Sequence, residues 1–178
     1  MADIISHSVD RRARTLAASG RPAEADEIRY ELIELLFFAY RDFVGEADSV
    51  LAEFGFWRAH HRVVHFVDRN PGIRVAELLA ILKITKQSLG RVLKELIDKD
   101  FIEQRQGSAD KRQRLLYTTG KGQALAMRLA EIQNQRICGA LEGLGPDGAD
   151  LARRFLTGLV DQDERAAVAR LTGDRRTR

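Results

Sequence analysis

The sequence lacks the features that define several common protein classes. Its single cysteine, Cys138, excludes an intrachain disulfide and a four-thiolate zinc site. Its three prolines leave most segments free to form helices. The longest apolar run near the N-terminus, residues 35–40, is far shorter than the ~20 residues that a membrane-spanning helix needs. The first twenty residues contain no apolar run typical of an export signal, so we expect a cytoplasmic protein.

The chain also has little excess charge of either sign. Its 178 residues include 29 Lys and Arg against 26 Asp and Glu, which gives a net charge of +3. This excess is too small to identify a polyanionic partner, so the placement of the basic residues has to decide the class of function. Hydrophobic residues make up 44% of the chain, which is typical of a globular protein with its own core.

Two long segments, residues 23–50 and 119–172, have apolar residues every three or four positions, which predicts helices. The last of these helices is predicted to run unbroken over residues 149–171. The apolar stripes are wide and the rest of the chain is too short to cover them, so we predict that they form the interface of a homodimer. Residues 1–22 are either a partly ordered arm or an extension of that interface, and residues 173–178 are predicted to be a frayed tail.

Residues 55–118 have the pattern of a winged helix. A short helix is predicted over residues 75–82, and Thr85 is suited to cap a second helix over residues 86–99. Two helices joined by a three-residue turn form a helix-turn-helix. Two short strands around a polar loop then predict a wing at residues 104–114. The predicted fold is therefore mainly α, a winged helix-turn-helix with a short β-hairpin wing flanked by long N- and C-terminal dimerisation helices.

Basic residues concentrate in the winged helix. Between Thr85 and Arg114, eight basic residues stand against five acidic ones, an excess equal to that of the whole chain. Basic, amide and hydroxyl groups at these positions suit phosphates and base edges of double-stranded DNA. The candidate DNA-binding residues are Thr85, Lys86, Gln87, Ser88, Arg91, Lys94, Arg105, Lys111, Arg112 and Arg114. The alternative is a winged helix that acts only as a protein-interaction module, without operator binding.

Five short motifs follow one another in this part of the chain. They are Val75-Ala76-Glu77-Leu78-Leu79, Thr85-Lys86-Gln87-Ser88, Arg91-Val92-Leu93-Lys94-Glu95-Leu96, Asp110-Lys111-Arg112 and Thr118-Thr119-Gly120-Lys121-Gly122. Their order resembles the multiple antibiotic resistance regulator (MarR) family, whose wing carries an Asp-x-Arg motif and whose next helix opens with a Leu-Thr-x-x-Gly-like segment. The resemblance is specific in motif over residues 70–122 and architectural over most of the rest.

The resemblance implies a homodimeric transcription regulator. Because a twofold protein matches a twofold site, we expect a near-palindromic operator. Helix 86–99 would lie in the major groove, and Arg112 of the wing would enter the minor groove. Lys83 and Asp100 stand where glycines are common in the family. We therefore expect a positive φ at Lys83, and an aspartate tolerates such a backbone at position 100 better than most residues do.

An aromatic cluster precedes the helix-turn-helix, since five of the eight phenylalanines lie between residues 37 and 56. In the family that the chain resembles, a cleft between the dimer helices and the winged helix can bind small aromatic acids. Aromatic walls with an arginine would suit a small aromatic or anionic effector. The candidate effector-binding residues are Phe37, Tyr40, Arg41, Trp57, Arg58 and His61. The alternative is that these aromatic residues form the core and the dimer interface.

Other chemistry has little support in the sequence. His61 and His65 share a helix face and could hold a metal, but no cysteine lies near enough to complete a site, so we expect packed histidines and no metal. Cys138 is expected to be buried and inert. Residues 119–122 lack the upstream glycine and the following Ser or Thr of a phosphate-binding loop. No nucleophile and base can be paired, so we expect neither an enzyme nor a cofactor.

Arg112 is the wing residue on which the expected minor-groove contact depends. A narrow minor groove concentrates negative potential and favours an inserted arginine. We expect Arg112→Ala to weaken operator binding by roughly 1–3 kcal/mol and to reduce the preference for narrow-groove sequences. Binding isotherms at several salt concentrations check this expectation. A variant that bound as tightly as wild type, with the same salt dependence, would contradict a DNA contact by the wing.

Overall fold

A computed structural model describes residues 28–107 and 113–173 of the chain. The predicted arm at residues 1–22 lies outside this described part. The same holds for Lys111 and Arg112 of the wing and for the tail beyond residue 173. The chain divides into two units, residues 1–38 and residues 39–178.

The described residues form seven α-helices, one 3-10 helix and three strands. In chain order they are α1 (Tyr30–Ala52), α2 (Arg58–Arg69), β1 (Ile73–Arg74), α3 (Val75–Leu82), α4 (Lys86–Asp98), β2 (Ile102–Gln106), β3 (Arg114–Thr118), α5 (Gly120–Glu142), α6 (Gly148–Leu159), the 3-10 helix (Gln162–Glu164) and α7 (Arg165–Thr172). A helix-turn-helix of α3 and α4 is followed by the hairpin of β2 and β3, with long helices before and after it. The predicted fold class is therefore confirmed.

The turn between α3 and α4 forms as the sequence predicts. The Thr85 side-chain oxygen caps α4 by accepting the Ser88 backbone N–H at 3.1 Å. Lys83 ends α3 in the left-handed region with φ 51°, and Asp100 follows α4 with φ 61°. This conformation costs a non-glycine residue roughly 1 kcal/mol. The surrounding contacts stabilise it, and one of them is the hydrogen bond from the Lys83 N–H to the Leu79 carbonyl at 2.9 Å.

The three strands form one antiparallel sheet in the order β1-β3-β2. In the hairpin, Ile102 lies opposite Thr118 and Gln106 lies opposite Arg114. The short strand β1 was not predicted, because two residues cannot show the alternation that identifies a strand. Its pairing with β3 joins the base of the wing to the start of α3.

The core lies where α2 packs against α3, α4, β3 and α5. Its largest fully buried side chains are Phe56, Phe101, Leu51, Leu78, Leu89, Leu96, Ile102, Leu116, Leu129, Val63, Val64 and Val67. Phe54 and Phe56 both meet Phe101 edge to face, with ring centres 5.3 Å and 5.0 Å apart. Phe56 of the aromatic cluster therefore belongs to the core and the half-buried Phe54 packs against it, as the alternative interpretation expected.

The prediction of one unbroken helix over residues 149–171 was wrong. Helix α6 ends at Leu159, Val160 is extended, and the 3-10 helix intervenes before α7. The Arg165 side chain donates hydrogen bonds to the carbonyls of Gly158 at 2.8 Å and Val160 at 3.0 Å. These bonds satisfy carbonyl groups that the end of α6 leaves unpaired, so the break is stable. The apolar spacing continues across it and therefore could not reveal it.

The expectation of a buried cysteine was also wrong, since Cys138 is exposed. The buried residues of α5 are Gly122, Leu125, Ala126 and Leu129, which all lie in the first half of the helix. Cys138 lies two turns and more beyond the last of them, on a part of α5 that the described residues of this chain leave exposed, as neighbouring Ile137 also shows.

Gly122 lies where the start of α5 meets the backbone of Phe101. A Cβ on residue 122 would lie 2.0 Å from the Phe101 carbonyl oxygen, so an alanine there requires the backbone to move. We expect Gly122→Ala to lower the free energy of unfolding by roughly 1–3 kcal/mol, as overpacking does. Urea unfolding monitored by circular dichroism measures this change in the free energy of unfolding.

Gly120 provides the matched control for this substitution, because it is the first residue of the same helix. Nothing lies within 4 Å of a Cβ added to residue 120. Gly120→Ala should therefore leave the free energy of unfolding unchanged or raise it by about 0.5 kcal/mol. Equal shifts of the two unfolding midpoints would contradict the close packing at Gly122.

Candidate nucleic-acid interface

Helix α4 has one buried face and one exposed face. The buried face consists of Leu89, Val92, Leu93 and Leu96. Lys86, Gln87 and Arg91 are exposed on the other side, and within residues 28–107 and 113–173 their side chains have no hydrogen-bond or ion-pair partner. Two cations and an amide are thus free to bind a ligand along one helix face.

The first turn of α4 uses two of the predicted contact residues to hold itself together. The Thr85 hydroxyl donates to the Ser88 Oγ at 2.9 Å, while its oxygen accepts the Ser88 N–H. The single hydrogen of the Thr85 hydroxyl is therefore already used within this turn. The Ser88 hydroxyl keeps its own hydrogen for another acceptor, because here it serves only as an acceptor.

Lys94 differs from the three free groups on α4. Its ammonium group pairs with the Asp98 carboxylate one turn further along the helix. The hydrogen bond to Asp98, followed by its negative charge, raises the pKa of Lys94. Lys94 is exposed, but part of its charge is compensated within the helix, so it is a weaker electrostatic attractor than Lys86 or Arg91.

The described part of the wing holds two of the predicted contact residues. The guanidinium of Arg105 pairs with Glu103 and its central carbon lies 4.5 Å from the centre of the Tyr117 ring. Arg114 is exposed opposite Gln106 at the start of β3. Lys111 and Arg112 lie outside the described residues, so their roles stay predictions from the sequence.

Three polar side chains of α2 bind the elements around it and were not predicted from the sequence. The contacts are His60 Nε2 to Glu95 Oε2 of α4 at 3.0 Å, Arg62 Nη2 donating to the Leu82 carbonyl at 3.1 Å, and Thr118 Oγ1 donating to Asp68 Oδ1 at 3.0 Å. They join α2 to α4, to the end of α3 and to β3. The partners lie 20 to 50 residues apart in the chain, so local spacing carries no signal of them.

Two of the predicted effector-binding residues lie together in the structure. The Arg58 guanidinium carbon lies 5.8 Å from the centre of the Tyr40 ring, and Arg58 Nε donates to Asp48 at 2.8 Å. Arg41 Nε donates to the adjacent Asp42, also at 2.8 Å. Both guanidinium groups therefore have a carboxylate partner already, and an anionic ligand would have to compete with it.

The remaining predicted effector residues are less closely connected. Trp57 is 71% exposed, which makes it the most exposed large apolar side chain among the described residues. Phe37 is also exposed and belongs to the unit of residues 1–38. A cleft of about 550 Å³ lies between α6 and α7, and none of the six predicted residues lines it.

His61 and His65 lie on one face of α2 with ring centres 6.5 Å apart. Partial burial lowers the pKa of His61, and the neighbouring His65 lowers it further. Burial and the charge of Arg69 lower the pKa of His65. In the described ranges, no group of three or more His, Cys, Asp and Glu side chains is placed to hold a metal ion.

None of the helices in these ranges has the length and apolar content that crossing a bilayer requires.

Comparison with known proteins relates this geometry to one family. The family model described as "MarR family" matches residues 54–113. The HTH-type transcriptional regulator PetP of Rhodobacter capsulatus is 43% identical over 136 residues, which cover 76% of this chain and 82% of PetP.

Solved structures show the same fold at lower sequence identity. The crystal structure of MarR matches with a TM-score of 0.59 and 21% identity, covering 84% of this chain and 98% of that one. Streptococcus pneumoniae FabT in complex with DNA matches with a TM-score of 0.63 and 17% identity, covering 73% of this chain and 93% of that one. The solved structures thus share the fold of this chain, and the family model together with the similarity to PetP shows that the chain belongs to the MarR family of transcriptional regulators.

Proposed function

We propose that the protein is a cytoplasmic regulator that binds double-stranded DNA in a sequence-specific manner. Helix α4 lies in the major groove, and the wing at residues 104–114 contacts the minor groove. The observation that carries this proposal is the exposed face of α4, where Lys86, Gln87 and Arg91 have no partner among the described residues. An arginine side chain can form hydrogen bonds with guanine, a glutamine side chain with adenine, and a lysine side chain with phosphate.

Gly90 supports a close approach of DNA to the same helix. A glycine inside a helix costs about 1 kcal/mol relative to alanine. Packing within the described chain does not require it, because a Cβ added to residue 90 would meet nothing within 4 Å. The missing side chain instead leaves room beside Arg91 for a sugar-phosphate backbone.

We propose further that the protein acts as a homodimer. Helix α1 exposes apolar side chains over its first half, which include Tyr30, Leu32, Ile33, Leu35, Leu36 and Phe37. Helix α6 separately exposes Leu151, Phe155, Leu156 and Leu159. Monomeric proteins seldom leave such continuous apolar surfaces in water, and a second copy would cover them. A twofold protein of this kind matches a near-palindromic operator with half-sites about 34 Å apart.

Regulation by a small aromatic or anionic effector is part of the proposal. Its support is the arrangement of Tyr40 with Arg58; Trp57, which precedes Arg58 in the sequence, also has an exposed side chain. An aromatic acid would stack on the Tyr40 ring and displace Asp48 from Arg58. It would release DNA only if it bound the free and DNA-bound conformations differently.

Arg91 and Lys94 test the proposed DNA-binding face. We expect Arg91→Ala to weaken binding to a selected duplex by roughly 1–3 kcal/mol and to relax sequence preference, because it removes a free group. Lys94 already pairs with Asp98, so Lys94→Ala should cost less, affect all sequences evenly and flatten the salt slope by about one unit. Isotherms at several salt concentrations measure both effects.

Arg170→Ala is the matched control for these variants, because it removes the same charge from the exposed last turn of α7. It should bind DNA as wild type does. Wild-type affinity in Arg91→Ala and Lys94→Ala alike would refute α4 as the DNA-reading helix. Absence of salt-sensitive duplex binding in the wild type would favour the alternative, a winged helix that binds only protein.

The dimer proposal predicts the mass of the protein in solution. Light scattering at micromolar concentration should give twice the 20.1 kDa mass of one chain. Phe155→Asp should shift the equilibrium towards monomer, because it places a charge within the exposed apolar face of α6. A wild-type mass of 20.1 kDa would refute the homodimer.

A further inference from the structure

His60 occupies a buried position with a defined pattern of hydrogen bonds. Its side chain lies at the start of α2, and the residue is only 2% exposed. The backbone N–H of Trp57 points at its Nδ1 from 3.1 Å, while Oε2 of Glu95 lies 3.0 Å from its Nε2. A backbone N–H only donates, so Nδ1 accepts, and the proton of a neutral imidazole lies on Nε2. Nε2 therefore donates to the Glu95 carboxylate.

The Phe56 ring fixes the plane of this imidazole. The two rings stack with centres 4.6 Å apart and planes inclined by 14°. Because the ring cannot rotate freely, His60 holds both partners at once: it caps the start of α2 through Nδ1 and holds a carboxylate of α4 through Nε2. No other side chain is within hydrogen-bond reach of Glu95 among the described residues.

Glu95 is the acidic residue of α4 that is best placed to form an ion pair with Arg91. The two residues are four apart, the spacing at which opposite charges on a helix attract each other. Glu95 nevertheless turns towards α2 and binds His60, and in the described ranges Arg91 makes no ion pair. A released Glu95 carboxylate, which is already 42% exposed, could pair with Arg91 and would also repel an approaching phosphate.

We infer that His60 is a positioning residue for DNA binding, which holds the Glu95 carboxylate against α2 and thereby keeps Arg91 available to DNA. This inference rests on the proposed function of α4. His60 has two roles, the capping of α2 and the restraint of Glu95, and a substitution by alanine would remove both at once.

Two substitutions of His60 distinguish these roles. His60→Asn places an amide oxygen near the position of Nδ1, so it keeps the cap to Trp57 but is too short to reach Glu95. His60→Gln offers an acceptor and a donor about as far apart as the two ring nitrogens, so it can keep both contacts. We expect about fivefold weaker DNA binding for His60→Asn and a change of less than about twofold for His60→Gln.

The decisive measurement is a double-mutant cycle with Glu95→Gln, which removes the charge of Glu95. The probe is a labelled duplex that the wild type selects from a random pool, and affinities are measured by fluorescence anisotropy. In the Glu95→Gln background, His60→Asn should cost less than about twofold. Asp98→Asn is the matched control, because it removes the same charge from α4 without touching His60. It should leave the fivefold effect of His60→Asn unchanged.

The possible outcomes separate this inference from the proposed function. If His60→Asn weakened binding equally in the Glu95 and Glu95→Gln backgrounds, His60 would act only through the stability of the fold, and the inference would be overturned while DNA binding stood. If Arg91→Ala left the His60→Asn effect in place, the restraint would not act through Arg91, which also overturns it. A wild type that selected no duplex would overturn both the inference and the proposed function.

Discussion

The winged helix is built around the buried helix α2. Val63, Val64 and Val67 are completely buried, and α2 packs against α3, α4, β3 and α5. The apolar stripe of α4 turns one face of that helix towards this core and leaves the opposite face exposed. Hydrogen bonds from His60 to α4, from Arg62 to the end of α3 and from Thr118 to Asp68 add directional contacts between α2 and the elements around it.

The electrostatics of the winged helix follow from that orientation. The small excess of basic residues in the winged helix would attract a polyanion only weakly if every charged side chain were equally free to interact with it. Instead, Glu95, Asp98 and Glu103 are each held by a neighbouring side chain. These three carboxylates are bound to His60, Lys94 and Arg105. Lys86 and Arg91 therefore have no acidic partner among the described residues, and their charges lie on one exposed face. The distribution of ion pairs, more than the net charge, makes this face suitable for a polyanion.

Much of this arrangement could be predicted from the sequence, because it depends on local chemistry. The cap at Thr85 and the positive φ of Lys83 depend on a few adjacent residues, and both are confirmed. The break after Leu159 could not be predicted, because Arg165 stabilises it through backbone carbonyls that a sequence does not display. The link between His60 and Glu95 was missed for another reason: it joins residues 35 apart, and only the packing of α2 on α4 brings them together.

The proposed function requires the free groups on the exposed face of α4 to contact DNA. A crystal structure of the protein bound to a duplex that it selects would show whether they do. We expect α4 in the major groove, with Arg91 within hydrogen-bond distance of a base edge or a phosphate and Glu95 still bound to His60. A complex in which α4 faced away from the duplex, or in which Arg91 paired with Glu95 rather than with DNA, would contradict it.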